Sequence, residues 1–194
     1  PFSSSTQTRP AAGCPGPRAF TRGTYQDPNT IEMLSDEFNE NDLQLIAKKM
    51  VDSMDAAKSV QNIQGKPILV VGKIKNKTSE HIDMESLGDK VRVQLTNRGR
   101  FAFANKAARE QIAEEYEYQG SGYVKPGEAK GPGQQSSADF LLTGSIASII
   151  QQVGNDKLVY YKMTMELTNL KSGVIEWTDE KELRKKFKKK AVGW

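Results

Sequence analysis

The 194-residue chain predicts an α/β (α+β) domain: a mixed sheet of about five strands, with a C-terminal antiparallel meander, flanked by three to four helices. Three observations predict it. Apolar residues recur at helical spacing at Leu43, Ile46, Met50 and Met54, and again at Met84, Leu87, Val91 and Leu95, each set forming one stripe of a helix. Between them lies Ile68-Leu69-Val70-Val71, a short apolar run rich in β-branched residues, which reads as a central strand covered on both faces. From Ala138 onward the period switches to two, the signature of half-buried strands.

Pro1 to Gly23 is rich in Pro, Gly, Ser, Thr and Arg. Such a segment buries too little apolar surface to offset the entropy of ordering it, so residues 1–23 read as a flexible leader. Thr24 to Asn41 is acidic and irregular and reads as an arm lying on the domain, which spans residues 24–182. The first helix follows, capped by Asn41 or Asp42. The strand from Ile68 to Ile74 leads into a polar loop, Lys75 to His81, and Asp83 is placed to cap the second helix. That helix runs to Arg98, with Gly99 as its stop. A short strand covers Arg100 to Ala104, and Asn105 caps a third helix bearing Ala108, Ile112 and Tyr116. Gly120 to Gly133 is a breaker-rich loop.

The meander begins with a long strand from Phe140 to Ile150 and turns at Gly154-Asn155-Asp156. The returning strand alternates cleanly, with Val159, Tyr161, Met163, Met165 and Leu167 on one side. A turn at Lys171-Ser172-Gly173 leads to a last strand from Val174 to about Glu182. Residues 183–194 then read as a basic tail. Residues 181–190 alone hold seven Lys/Arg and one Glu, more than the whole net charge of +4, so the remainder is slightly acidic. Lysine clusters bind phosphate backbones or anionic surfaces without sequence preference, and no residues here suggest base readout.

Enzyme signatures fail one after another. His81 is the only histidine, so any Ser-His-Asp or Cys-His arrangement has to use it. A phosphate-binding loop fails on spacing, with Gly65 too far from Gly72-Lys73 and Ile74 in place of Ser/Thr. A dinucleotide pattern starts at Gly120-Ser121-Gly122 but has Lys125 where its third glycine belongs. The reading is no catalytic residue, no metal site and no cofactor. Cys14, the only cysteine, closes Ala11-Ala12-Gly13-Cys14, which has the form of a lipoprotein cleavage box and makes Cys14 a candidate for acylation.

Several stretches in order carry a family resemblance. They are Asp36-Glu37-Phe38, Asp42-Leu43-Gln44, Ala47-Lys48-Lys49-Met50-Val51, and Val70 to Asp83 with its Lys75-to-His81 loop. Gly99-Arg100-Phe101, Glu114-Tyr116-Tyr118 with Gly122, Ala138 to Gly144, and Gly173-Val174-Ile175-Glu176-Trp177 follow. Together they span about Tyr25 to Arg184, and the chain resembles the LpoB family of penicillin-binding protein activators. The resemblance implies a lipoprotein anchored to the outer membrane and reaching through the periplasm. It further implies a partner, the small regulatory domain of a bifunctional class A penicillin-binding protein, whose glycan polymerisation and peptide cross-linking it stimulates in peptidoglycan biosynthesis. Protein binding without catalysis is the implied activity, with the monomer as the expected state and no specific nucleic acid.

Three departures from the family pattern stand out. No apolar segment precedes the Cys14 box in Pro1 to Pro10. The leader is short, since about 24 flexible residues reach roughly 25–30 Å. Gly131-Pro132-Gly133 interrupts the helix that the family places before the strand at Ala138-Asp139. The docking surface is therefore placed on the loop Lys125 to Lys130 and the strand start Asp139 to Thr143, with Lys125, Lys130, Asp139 and Thr143 as contact residues and Phe140 and Leu142 as core. A second reading takes Ala138 to Ser145 as similar to the periplasmic domain of CsgG-type secretion lipoproteins, which form rings; this chain would then be a soluble ring or envelope scaffold.

Overall fold

A computed structural model describes residues 35–188, together with Asp27 and Thr30. Every helix and strand below belongs to one compact unit, Ile31–Trp194. Helix α1 (Glu40–Ala56) starts two or three residues before the position read from the sequence, which put its cap at Asn41 or Asp42. Asn39 is its cap: the Asn39 Oδ1 accepts the N–H groups of Asn41 and Asp42, while Asp42 Oδ2 accepts the Asn39 N–H at 3.0 Å. This reciprocal pair satisfies the orphan donors of the first turn, and it needs an acidic side chain three residues after the cap. Ile46, Met50 and Met54 are sealed in the core as the stripe requires. A single turn, α2 (Lys58–Gln61), follows.

Strand β1 (Ile68–Asn76) leads into α3 (Met84–Arg98). Asp83 caps α3 by accepting from Glu85 and Ser86 at 3.0 and 3.1 Å, and Gly99 ends it in the left-handed conformation at φ 75°. Only two residues of the next predicted strand pair, forming β2 (Ala102–Phe103). Helix α4 (Arg109–Tyr118) continues into a wider turn (Gln119–Tyr123) that bends at Gly122. Ala108, Ile112 and Tyr116 remain half-buried, so this helix adds no sealed side chain to the core. Strands β3 (Phe140–Val153), β4 (Asp156–Asn169) and β5 (Ile175–Lys188) form the meander.

The sheet order is β2-β1-β3-β4-β5, with β2, β1 and β3 parallel and the last three antiparallel. The central strand is therefore β3, not β1. Nor is β1 sealed on two sides. Leu69 and Ile74 are buried towards the helices, whereas Ile68 and Val70 are only half-buried on the far side. The apolar run there reflects partial cover: Ile68 shares a cavity of about 290 Å3 with Ala102, Ile112 and Ala138.

All three meander strands obey one parity. Phe140, Leu142 and Ile146 of β3, Val159, Tyr161, Met163, Met165 and Leu167 of β4, and Trp177 of β5 are buried on the helix side. Their neighbours on the other side are half-buried or exposed without exception. Gly144 belongs to the buried face because β4 runs too close for a side chain: a Cβ there would sit 2.6 Å from the Thr164 carbonyl oxygen. The last strand runs six residues past Glu182 and takes in Leu183 to Lys188. These residues keep the period of two, Leu183, Lys185 and Phe187 pointing towards the helix side and Arg184, Lys186 and Lys188 lying exposed. Lys189 to Trp194 lie outside the described residues, as does Cys14.

Candidate docking surface

The loop after α4 is organised by its own short contacts. The Gln119 side chain accepts the Lys130 N–H at 2.7 Å, and the Lys125 carbonyl accepts the Glu128 N–H at 3.1 Å. These bonds bring Lys125 and Lys130 into one loop with both side chains exposed. At its root Tyr118 and Tyr123 stack with centroids 5.6 Å apart and planes 12° from parallel. They are 54% and 79% exposed, a pair of large rings presented to solvent rather than packed. No helix intervenes between this loop and β3, in keeping with the Gly131-Pro132-Gly133 break.

Asp139 and Thr143 are placed differently. Asp139 Oδ2 accepts the Ile68 N–H at 2.8 Å, its N–H donates to the Ile68 carbonyl at 2.7 Å, and its carbonyl accepts the Leu170 N–H at 2.9 Å. It pins the start of β3 to β1 and to the end of β4, so its carboxylate is already committed within the fold. Thr143 is half-buried on the open face of β3, opposite Glu166 and next to Gly72. Phe140 and Leu142 are core.

The open face of the meander carries Tyr160, Lys162, Thr164, Glu166 and Thr168, the side of β4 that strict alternation marks as wet or docking. Across its distal half, Ile149, Leu158 and Tyr160 line a groove of about 610 Å3 together with Gln151, Glu182 and Arg184. Ile149 and Val153 are exposed apolar residues beside it. Across its middle, Tyr160 donates to Glu182 Oε1 at 2.5 Å and Lys162 pairs with Glu180. The face thus grades from acidic (Glu166, Glu180, Glu182) to basic (Arg184, Lys186, Lys188) along β5 and its neighbour.

On the helix side, the arm is held by a polar cluster. Lys185, 4% exposed, donates to Asp42 Oδ2 at 2.5 Å and to the Glu37 carbonyl at 2.8 Å. Its ammonium lies 5.8 Å from the centroid of Tyr161. The Tyr161 hydroxyl donates to Glu80 Oε1, whose other oxygen accepts the Phe38 N–H at 2.8 Å. Burial, with the Glu80 carboxylate second, pushes the Tyr161 hydroxyl far above the ordinary phenol range and keeps it a donor. Lys157 pairs with Asp36, and that hydrogen bond holds the Asp36 carboxyl below its usual value. Glu80, part of the loop read as polar and exposed, is thereby a structural tie; His81 beside it is exposed. Among the described residues, no three His, Cys, Asp or Glu side chains are grouped to hold a metal ion. No described helix is long and apolar enough to cross a membrane.

Structurally this is a small α+β domain with α1 and α3 packed on one face of a mixed sheet, a second face that is open over the meander, and a tyrosine-flanked basic loop. The family of the peptidoglycan-synthase activator LpoB matches residues 42–183, and the chain belongs to that family. The family is that of an activator of peptidoglycan synthases. Among solved structures, the chain is similar to the LpoB C-terminal domain from Salmonella enterica, at 17% identity and TM-score 0.47, covering 73% of this chain and 98% of that one. The LpoB C-terminal domain from Escherichia coli gives 18% identity, the same coverage and TM-score 0.47. The NMR structure of E. coli LpoB gives 17% identity over 95% of this chain and 90% of that one, at TM-score 0.43. No curated protein matches the sequence.

Proposed function

We propose that this chain is a non-catalytic activator that docks on the regulatory domain of a bifunctional class A penicillin-binding protein and stimulates glycan polymerisation and peptide cross-linking. The observation that carries the reading is the extent of the family match, which runs from the first turn of α1 to Leu183 of β5 and so takes in most of the folded unit. The Lys125–Lys130 loop, with Tyr118 and Tyr123 at its root, is the surface we assign to docking: exposed tyrosine rings are among the residues that interfaces concentrate, and the two exposed lysines beside them can steer an acidic partner surface. Asp139 supports it by fixing where the loop joins β3. An activator of this kind works only if it binds the active state of the synthase more tightly than the resting state. Anchoring to the outer membrane through acylated Cys14 completes the proposal.

The test is a glycan polymerisation assay with the cognate synthase and the purified chain. Polymerisation should rise to a plateau, and Lys125→Glu with Lys130→Glu should raise the half-activating concentration by about tenfold or more, because reversed charges now face the partner's own. Thermal unfolding of that variant should be unchanged, since both side chains are exposed. Saturating chain that leaves the rate flat would remove the activator reading. An activating but fully charge-insensitive chain would move the docking site off this loop.

A further inference from the structure

One stretch of unpaired strand edge lies along β1. On one side β3 accompanies it from Leu69 to Asn76. On the other side β2 pairs only Ile68 and Leu69, and the last bond is the Ala104 N–H to the Leu69 carbonyl at 3.0 Å. From Val71 to Ile74 the lane that β2 began holds no strand among the described residues. A cleft of about 580 Å3 occupies that lane, lined by Val71 to Ile74, by Met84, Gly88 and Arg92 of α3, and by the residues that follow β2. This volume falls within the roughly 300–1,000 Å3 of clefts that hold ligands. Gly88 is buried against β1, a Cβ there lying 3.5 Å from Val71 Cγ1, so the helix wall stands close to the strand.

We propose that this cleft receives an extended peptide segment of a partner protein, added as a strand beside Val71–Ile74, apolar at alternate positions and carrying one acidic residue. Each requirement comes from a different feature. An open strand edge is satisfied by another strand's N–H and C=O groups, which supply affinity without sequence. Alternate apolar residues follow because successive side chains of an added strand point to opposite faces, and Val71, Ile74 and Met84 line only one of them. The charge follows from the rim. Arg92 pairs with Asp89 at 2.8 Å, while Lys73 and Lys106 have no ion pair among the described residues and only Glu85 opposes them. The β1 edge of a second copy fits poorly, because it is walled by its own α3 and is not a free extended segment that can enter the cleft. The cleft is distinct from the Lys125–Lys130 loop, and either assignment can fail without the other.

Octapeptides of random sequence displayed on phage, selected on the immobilised full chain, test this directly. The most enriched peptide is synthesised and titrated to about 1 mM against isotope-labelled full chain. Amide shifts should centre on Val71 to Ile74, Gly88 and Ala104 to Ala107, with enriched sequences apolar at alternate positions. The same peptide N-methylated on alternate residues should bind about tenfold more weakly or worse, since it cannot pair with the edge. Lys73→Glu with Lys106→Glu, both exposed sites, should weaken the unmodified peptide several-fold. Selection that enriches nothing, shifts centred elsewhere, or an N-methylated peptide that binds equally well would each overturn the proposal.

Discussion

Tyr160 and Tyr161 are neighbours in β4 and meet opposite surroundings. Tyr161 is fully buried, edge-on to Phe38 at 5.5 Å, with its hydroxyl tied to Glu80. Tyr160 lies half-buried on the open face and bonds across to Glu182 on the adjoining strand. The same division separates Lys185 from Lys186, and Gly144 from Ser145. Contacts on the helix side join pieces distant in sequence: the arm at Glu37 and Phe38, α1 at Asp42, the loop at Glu80, and two strands of the meander. Contacts on the open face join only adjacent strands. One face therefore holds the tertiary structure together, and the other is free to be spent on a partner. Paired substitutions at neighbouring positions expose that division.

The largest contrast should come from β5. Lys185→Met strands the buried Asp42 carboxylate, and removing one partner of such a pair costs about 3 kcal/mol or more. The lower end applies because the Asn39 N–H still serves Asp42. Lys186→Met loses only the exposed pair with Asp156, and its urea midpoint should match the parent. Adding Asp42→Asn to Lys185→Met should recover part of the loss. Equal midpoints for the two lysine variants would break the two-face account.

Next comes β3. Gly144→Ala drives a methyl into the Thr164 carbonyl and against Met165 Cγ at 3.1 Å, forcing β3 and β4 apart at a cost of about 2–3 kcal/mol. Ser145→Ala, on the open side, should leave the unfolding transition almost unmoved. Smaller again, Tyr161→Phe removes one hydrogen bond to a carboxylate, worth about 1.5 kcal/mol, and should speed amide exchange at Phe38, whose N–H shares that carboxylate. Tyr160→Phe should do neither.

The same division explains what the sequence could and could not reveal. Asp83 and Gly99 were legible to the residue because capping chemistry is local. The buried face of β4 was legible because five apolar residues keep strict alternation. The extension of β5 was not: its inward position 185 is a lysine, so the pattern from Leu183 to Phe187 looks like a charged tail. What makes that lysine a core residue is Asp42, 143 positions earlier, and no window along the chain contains both. The family resemblance was visible in ordered short motifs. The loop of Lys125 and Lys130 could be placed from its breakers, but the stacking of Tyr118 on Tyr123 depends on the bend at Gly122 and is a property of the folded chain. The cleft beside β1 was hidden for a related reason: only the pairing register shows that β2 stops after two residues.

The gentlest test concerns the arm, which joins α1 and the Glu80 loop in the helix-side cluster. Asp36 has its carboxyl held below the ordinary value of 3.8, first by the hydrogen bond from Lys157. A carboxylate whose pKa is lowered on folding stabilises the folded state fully above its unfolded value and loses that contribution as pH falls through the folded one. Lys157, raised above 10.5 by the same bond, loses its share only as pH climbs through its raised value. The Asp36–Lys157 tie should therefore be constant through the neutral range and fade below about pH 4. Both side chains are more than a third exposed, so solvent screening keeps the effect small. Denaturant midpoints of the parent and Asp36→Asn, measured from pH 7 down to about pH 3, should differ slightly at neutrality and converge in acid. If they stay apart there, something other than the Asp36 charge holds the arm in place, and the Glu80–Phe38 bond is the first to examine.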